Sequence, residues 1–157
     1  MHFDLIQSLS LAGKPEVPND DRIGCADQHA WVIDGATDLG PPGLLGERGG
    51  AAWLAAAAQR AFHGASGALQ QVCESVFVAV ATDYAQAQRR EPVAAWELPR
   101  AAFAAVALEG AELSCAYMGD CVVLHRSAQG IGFLTPEPDR EAERAEAAAL
   151  GPGTGAF

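Results

Sequence analysis

Residues 19–36 read Asn-Asp-Asp-Arg-Ile-Gly-Cys-Ala-Asp-Gln-His-Ala-Trp-Val-Ile-Asp-Gly-Ala, and the fold is read outward from them. Two short apolar runs, Arg22 to Ala26 and Ala30 to Ile33, flank Asp27-Gln28-His29, which is the pattern of a β-hairpin. The second run, Ala-Trp-Val-Ile, is wholly apolar and predicts a central strand. In a hairpin the start of one strand lies beside the end of the other. Asn19-Asp20-Asp21 and Asp34-Gly35 would therefore gather at one edge of the sheet. Carboxylates crowded in this way repel one another unless they are protonated or bridged by a cation, and a hard divalent ion takes oxygen ligands of this kind. Asn-Asp-Asp and Asp-Gly are also plain turn formers, and spacing alone favours that simpler reading.

Upstream, residues 2–12 alternate loosely and end at Gly13, Pro15 and Pro18, which predicts a first strand and then a loop. Downstream, Ala36 to Gly50 is a Gly- and Pro-rich loop, and Ala51 to Phe62 has helix-forming composition with Leu54, Ala58 and Ala61 on one face. Leu69, Val72, Cys73, Val76, Phe77, Val80 and Tyr84 recur at steps of three and four, predicting a helix over 66–88. Strands are predicted over 100–108 and 112–118, joined at Glu109-Gly110-Ala111. Gly119-Asp120 suits a tight hairpin into a third strand, Cys121 to Arg126, and Gly132 to Leu134 predicts a fourth. Asp139 is placed to cap a helix over Arg140 to Leu150, stopped by Gly151-Pro152. Runs of strands with helices between them imply an α+β class with antiparallel sheets. His29, in the hairpin turn, and His125, in an outer strand, are expected at the surface, and Trp31 and Trp53 in the core.

The chain has 157 residues, half of them hydrophobic and 33 of them alanine, which is room for one domain and excludes disorder by low hydrophobicity. The net charge of -10, with a single lysine, makes it a poor partner for nucleic acid. Cys25, Cys73, Cys115 and Cys121 form no CxxC pair, have no histidine at zinc-ligand spacing and lie in apolar segments. The amino terminus lacks a basic signal-peptide region, and the longest apolar run, Gly49 to Ala58, is too short to span a bilayer. A soluble, reduced, cytoplasmic protein without a membrane partner is expected, and the alanine-rich, lysine-poor composition points to a bacterial chain. No signal for an oligomeric state is present.

No nucleophile constellation stands out. The glycine spacing of Gly64-Ala65-Ser66-Gly67 is wrong for a nucleophile elbow, and Gly151-Pro152-Gly153-Thr154-Gly155 lacks the lysine of a phosphate-cradling loop.

The ordered set of motifs resembles the metal-dependent protein phosphatases of type 2C. Asn19-Asp20-Asp21-Arg22 and then Ala30 to Ala36 are similar to that family's opening element and its apolar strand ending in Asp-Gly. Leu113 to Cys121, with Gly119-Asp120, resembles its Gly-Asp-Ser hairpin, and Leu134-Thr135 before an acidic helix resembles the family's next element. The resemblance implies two antiparallel sheets packed face to face with antiparallel helices outside, an α-β-β-α sandwich. It also implies hydrolysis of phosphoserine or phosphothreonine monoesters in phosphoproteins by a metal-activated water. Two Mg²⁺ or Mn²⁺ ions would be held, with Asp34 bridging both and the Gly35 carbonyl binding one. Asp20 would act through metal-bound water, Asp21 would support the cluster, and Asp120 would help hold an additional, looser ion.

Departures from the family pattern are specific. Glu16 stands where the family often has a phosphate-contacting arginine, so Lys14 or Arg22 would have to bind phosphate instead. Asp20 stands where the family has glutamate, Cys121 where it has serine, and Ala36-Thr37-Asp38-Leu39-Gly40 replaces a glycine-rich stretch. The family's domain runs well past 157 residues and adds metal-binding aspartates near its carboxyl terminus. Beyond Asp120 this chain has only Asp139, assigned above to a helix cap. Residues 1–157 are thus expected to be the amino-terminal portion of such a domain, without its last metal-binding strands. Two alternatives stand beside the phosphatase reading: a catalytically weak or inactive phosphatase-like module that binds or regulates a partner, and an α+β domain whose aspartates only form turns.

Overall fold

The computed structural model describes residues 2–5, 7–12, 16, 19–36, 38, 43–45 and 49–150. They form two compact units divided after Cys121.

The first unit holds a four-stranded antiparallel sheet in the order β1-β2-β3-β4, comprising β1 (Arg22–Cys25), β2 (His29–Gly35), β3 (Ala101–Glu109) and β4 (Glu112–Met118). Between β2 and β3 come α1 (Gly50–Gly64), α2 (Leu69–Ala87) and a short 3-10 turn, Ala95–Glu97. The wholly apolar run is central, as its composition predicts, with β1 on one side and β3 on the other. Along β2 the residues alternate, and His29, Trp31, Ile33 and Gly35 are the buried ones. With Phe103, Ala105 and Ala107 of β3, Trp31 and Ile33 pack against Ala55 and Phe62 of α1 and Leu69, Val72, Cys73 and Val76 of α2. The Trp31 and Phe62 rings stack at 5.2 Å. The predicted α2 stripe is the face that meets the sheet, except that Phe77 stands half exposed at its border.

Two carboxylates, the buried Glu97 and the partly buried Glu109, tie the segments. Glu97 accepts from the Arg90 guanidinium and, at 2.8 Å, from the Val93 N–H, and these bonds pull its pKa down to about 2. Glu109, at the end of β3, accepts the Leu69 N–H at 2.7 Å and the Ser114 hydroxyl, so it caps α2 where the local residue, Ala68, offers no side-chain oxygen.

The second unit is built on a hairpin, β5 (Leu124–Ser127) with β6 (Gly130–Phe133), followed by α3 (Arg140–Leu150). The Val123 N–H donates to the buried Thr135 hydroxyl, and the Leu134 N–H donates to the Val123 carbonyl. The Asp139 carboxylate accepts the N–H groups of Glu141 and Ala142, which is the helix cap the sequence predicts.

The α+β class with antiparallel sheets is as expected, and three local expectations are corrected. The described part of residues 2–12 forms no strand; its tie to the sheet includes a hydrogen bond from the Phe3 N–H to the Asp27 carbonyl. Gly119-Asp120 does not close a hairpin, because β5 begins only at Leu124 and takes β6 as its partner while β4 pairs with β3 alone. His29 is buried, its Nε2–H donating to the Gly67 carbonyl at 3.0 Å. All four cysteines are free thiols.

Candidate functional site

The pairing register builds the site. Arg22 lies opposite Ile33 across β1 and β2, so Asp21 arrives beside Asp34. Asp34 in turn lies opposite Ala102 of β3, and Phe103 lies opposite Met118 at the end of β4. The chain then turns at Gly119, whose φ of 80° is left-handed and where an added Cβ would sit 2.6 Å from the Ala102 Cβ. Asp120 is thereby delivered to the same sheet edge as Asp34. Of the residues singled out in the sequence, Asp20, Asp21, Asp34, Gly35, Asp120 and Arg22 come together here, and Lys14 lies outside the described residues.

The loop entering β1 is braced by its own polar groups. Asn19 Oδ1 accepts the Asp21 N–H at 2.8 Å, forming an Asx turn. Arg22 folds back, and its Nη1 donates to the carbonyls of Asn19 and Asp21 at 2.6 Å each. Arg22 therefore holds the two aspartates in place and lends positive charge to Asp20. Gly35 is required by close approach, since a Cβ there would lie 2.8 Å from the Asp20 carbonyl oxygen and 3.1 Å from that of Ala51. Strand end, aspartate loop and the first turn of α1 thus pack backbone to backbone.

Partial burial, and then the neighbouring carboxylates of Asp21, Asp120 and Asp20, hold the Asp34 carboxyl above its ordinary range. Asp20 is raised as well, first by burial and then by Asp38 and Asp21. Burial together with Asp34 and Asp120 pushes the Cys121 thiol up to about 11, so it stays protonated at neutral pH and is no thiolate nucleophile. The residue that sequence reasoning missed is Asp38. Its carboxylate accepts the N–H groups of Gly50 at 2.6 Å and Ala51 at 3.0 Å and stands close enough to raise Asp20. Sequence separations of 12 and 13 residues gave no local sign of this contact.

The acidic edge offers a divalent cation suitable donor chemistry. The donors are hard carboxylate oxygens, and they repel one another in its absence, which is the chemistry that Mg²⁺ or Mn²⁺ relieves. Among the described residues, no group of three or more His, Cys, Asp or Glu side chains is arranged so that it could hold a metal ion. The aspartates therefore fit the ion in donor type and charge, and not in their arrangement.

No family model and no curated protein sequence matches this chain. Among solved structures, the Mycobacterium tuberculosis serine/threonine phosphatase PstP/Ppp is similar, with a TM-score of 0.60 and 13% identity over 93% of this chain and 59% of the phosphatase chain. This chain therefore spans about three-fifths of that structure. At this identity the likeness shows the fold, which agrees with the fold that the motif order implies. No helix among the described residues is long and apolar enough to cross a membrane.

Proposed function

We propose that this chain is a type 2C phosphatase-like domain that hydrolyses phosphoserine and phosphothreonine monoesters of cytoplasmic phosphoproteins in a metal-dependent reaction. The observation that carries the proposal is the convergence of Asp20, Asp21 and Asp120 on Asp34 at one sheet edge, with the Asp34 carboxyl raised by burial and then by these neighbours. The likeness to a serine/threonine phosphatase over 93% of the chain supports the same reading.

Asp34, Asp21, Asp20 and Asp120, with the Gly35 carbonyl, would hold Mg²⁺ or Mn²⁺. Bound there, the ion supplies a Lewis acid that activates water and offsets charge on the phosphoryl oxygens. Asp34 stands at the centre of the set and is the residue most repelled by the others. Gly35 keeps the strand end against the Asp20 backbone, so the two acidic segments cannot separate without breaking that packing. Arg22, turned onto the carbonyls of Asn19 and Asp21, fixes the loop and presents positive charge toward a phosphate, in a role shared with Lys14.

The test is hydrolysis of p-nitrophenyl phosphate and of a phosphothreonine peptide with and without Mn²⁺. Turnover stimulated by Mn²⁺ and lost in Asp34→Asn is the expected result. Mn²⁺ binding by calorimetry with no turnover of either substrate would replace this reading with that of a non-catalytic phosphatase-like module. Absence of both binding and turnover would leave the aspartates as turn formers.

A further inference from the structure

We infer that the first unit carries a binding site for a small aromatic anion between its helices and the end of its sheet, separate from the acidic edge. A cavity of about 440 Å³ lies there, walled by Ala58 of α1, Val76 and Val80 of α2 and Phe103 of β3. Alanine makes the space: at Ala58, Ala101 and Ala102 the side chains stop at Cβ, so helix and strand approach without filling the gap between them. The cavity opens to solvent, and with about three times the volume of a cavity that accepts benzene it has room for two fused rings. Phe77 and Met118 form its rim, 50% and 52% exposed, so the protein leaves two large apolar side chains at the entrance for a ligand to cover.

The lining specifies the ligand. Phe62, Phe77 and Phe103 surround the space, with the Phe77 and Phe103 rings edge-to-face at 5.8 Å, and Met118 adds a polarisable thioether. These groups favour an aromatic guest over a straight alkyl chain. An extended peptide is disfavoured, because an apolar lining leaves its backbone N–H and C=O groups without partners. Among the described residues that line the cavity, Arg100 is the one that carries a charge; it is exposed and makes no ion pair with another described residue. In a chain of net charge -10, a lone guanidinium beside an apolar cavity selects an anion. Another cavity of this unit is bordered by Glu74 and Glu109, which repel an anion. The first cavity also takes in Ala102 and Gly119, the residues packed behind Asp34 and Asp120, although its occupation does not depend on any activity there.

The probe is 2-naphthoate, compared with 2-naphthylmethanol, 1-naphthylmethylamine and decanoate by calorimetry, with the Met118 methyl followed by NMR. The expected result is one saturable site for 2-naphthoate, with a Kd on the order of 0.1 mM and an upfield ring-current shift of the Met118 methyl. Arg100→Gln should weaken 2-naphthoate about tenfold and leave 2-naphthylmethanol unchanged. Ala58→Leu should abolish binding of both, and Val80→Phe serves the same purpose from the other helix should the first variant fail to fold. Equal binding of the amine, decanoate binding as tightly as 2-naphthoate, or no Met118 shift at saturating 2-naphthoate would each overturn the proposal.

Discussion

Asp38 Oδ2 accepts the Gly50 N–H at 2.6 Å while its other oxygen accepts the Ala51 N–H, so a carboxylate twelve residues upstream closes the amino terminus of α1. Gly49, the residue at the cap position, provides no side chain for that purpose. Asp38→Ala should therefore destabilise the fold by about 1 kcal/mol, the usual worth of a lost helix cap, which is roughly 2–4 °C in Tm at this length. Asp38→Asn, which keeps an acceptor oxygen, should recover most of the loss in thermal melts.

Glu97 sets an acid limit to stability. Its folded pKa of about 2 lies below its ordinary value of 4.5, so it contributes stability that is full above 4.5 and is lost as pH falls towards 2. In Glu97→Gln that part of the pH dependence should vanish, flattening the stability curve between about pH 4.5 and 2 in urea titrations. A wild-type slope retained by the variant would assign the acid limb to other carboxylates.

At the acidic edge the prediction has opposite signs with and without the ion. Without divalent cation, Asp34→Asn removes the carboxylate most crowded by its neighbours and should raise Tm by about 2 °C, within the range for exposed charge pairs. With Mn²⁺ at a hundredfold excess over its Kd, the wild type should gain about 2.7 kcal/mol and Asp34→Asn should gain nothing. Paired melts with and without Mn²⁺ read both effects.

Gly35→Ala should destabilise by about 1–3 kcal/mol, as overpacking does in a filled interior. Its Cβ would press on the backbone oxygens of Asp20 and Ala51, neither of which is the yielding end of a flexible side chain. Gly132→Ala, at a position with open space around the added carbon, is the control and should leave the denaturant midpoint within error.

The features legible in the residues were local or came from hairpin geometry. The wholly apolar Ala30–Ile33 run marked the central strand, the hairpin register brought Asp21 to Asp34, and Asp139 capped α3 by accepting an N–H three residues further on. The hidden features depended on partners distant in sequence. His29 can be buried because the Gly67 carbonyl, 38 residues away, accepts a hydrogen bond from its Nε2–H. The Gly119-Asp120 turn signal was overridden because β5 found β6 across Ala128 and Gln129, a closer partner than β4. The alternation of residues 2–12 builds no strand among the described residues, and Leu5, Leu9 and Leu11 are exposed there. For the site, crowding of the aspartates was legible, whereas the tie between Asp38 and α1 required the packed backbone.

Glu109 carries a consequence for the order in which the molecule can assemble. The first turn of α2 waits for an acceptor supplied 40 residues later, and the Ser114 hydroxyl that steadies this acceptor comes later still. Until Glu109 is in place, the Leu69 N–H has no side-chain cap, because Ala68 offers none. The cap of α2 and the pairing of β3 with β4 are thus joined at a single carboxylate.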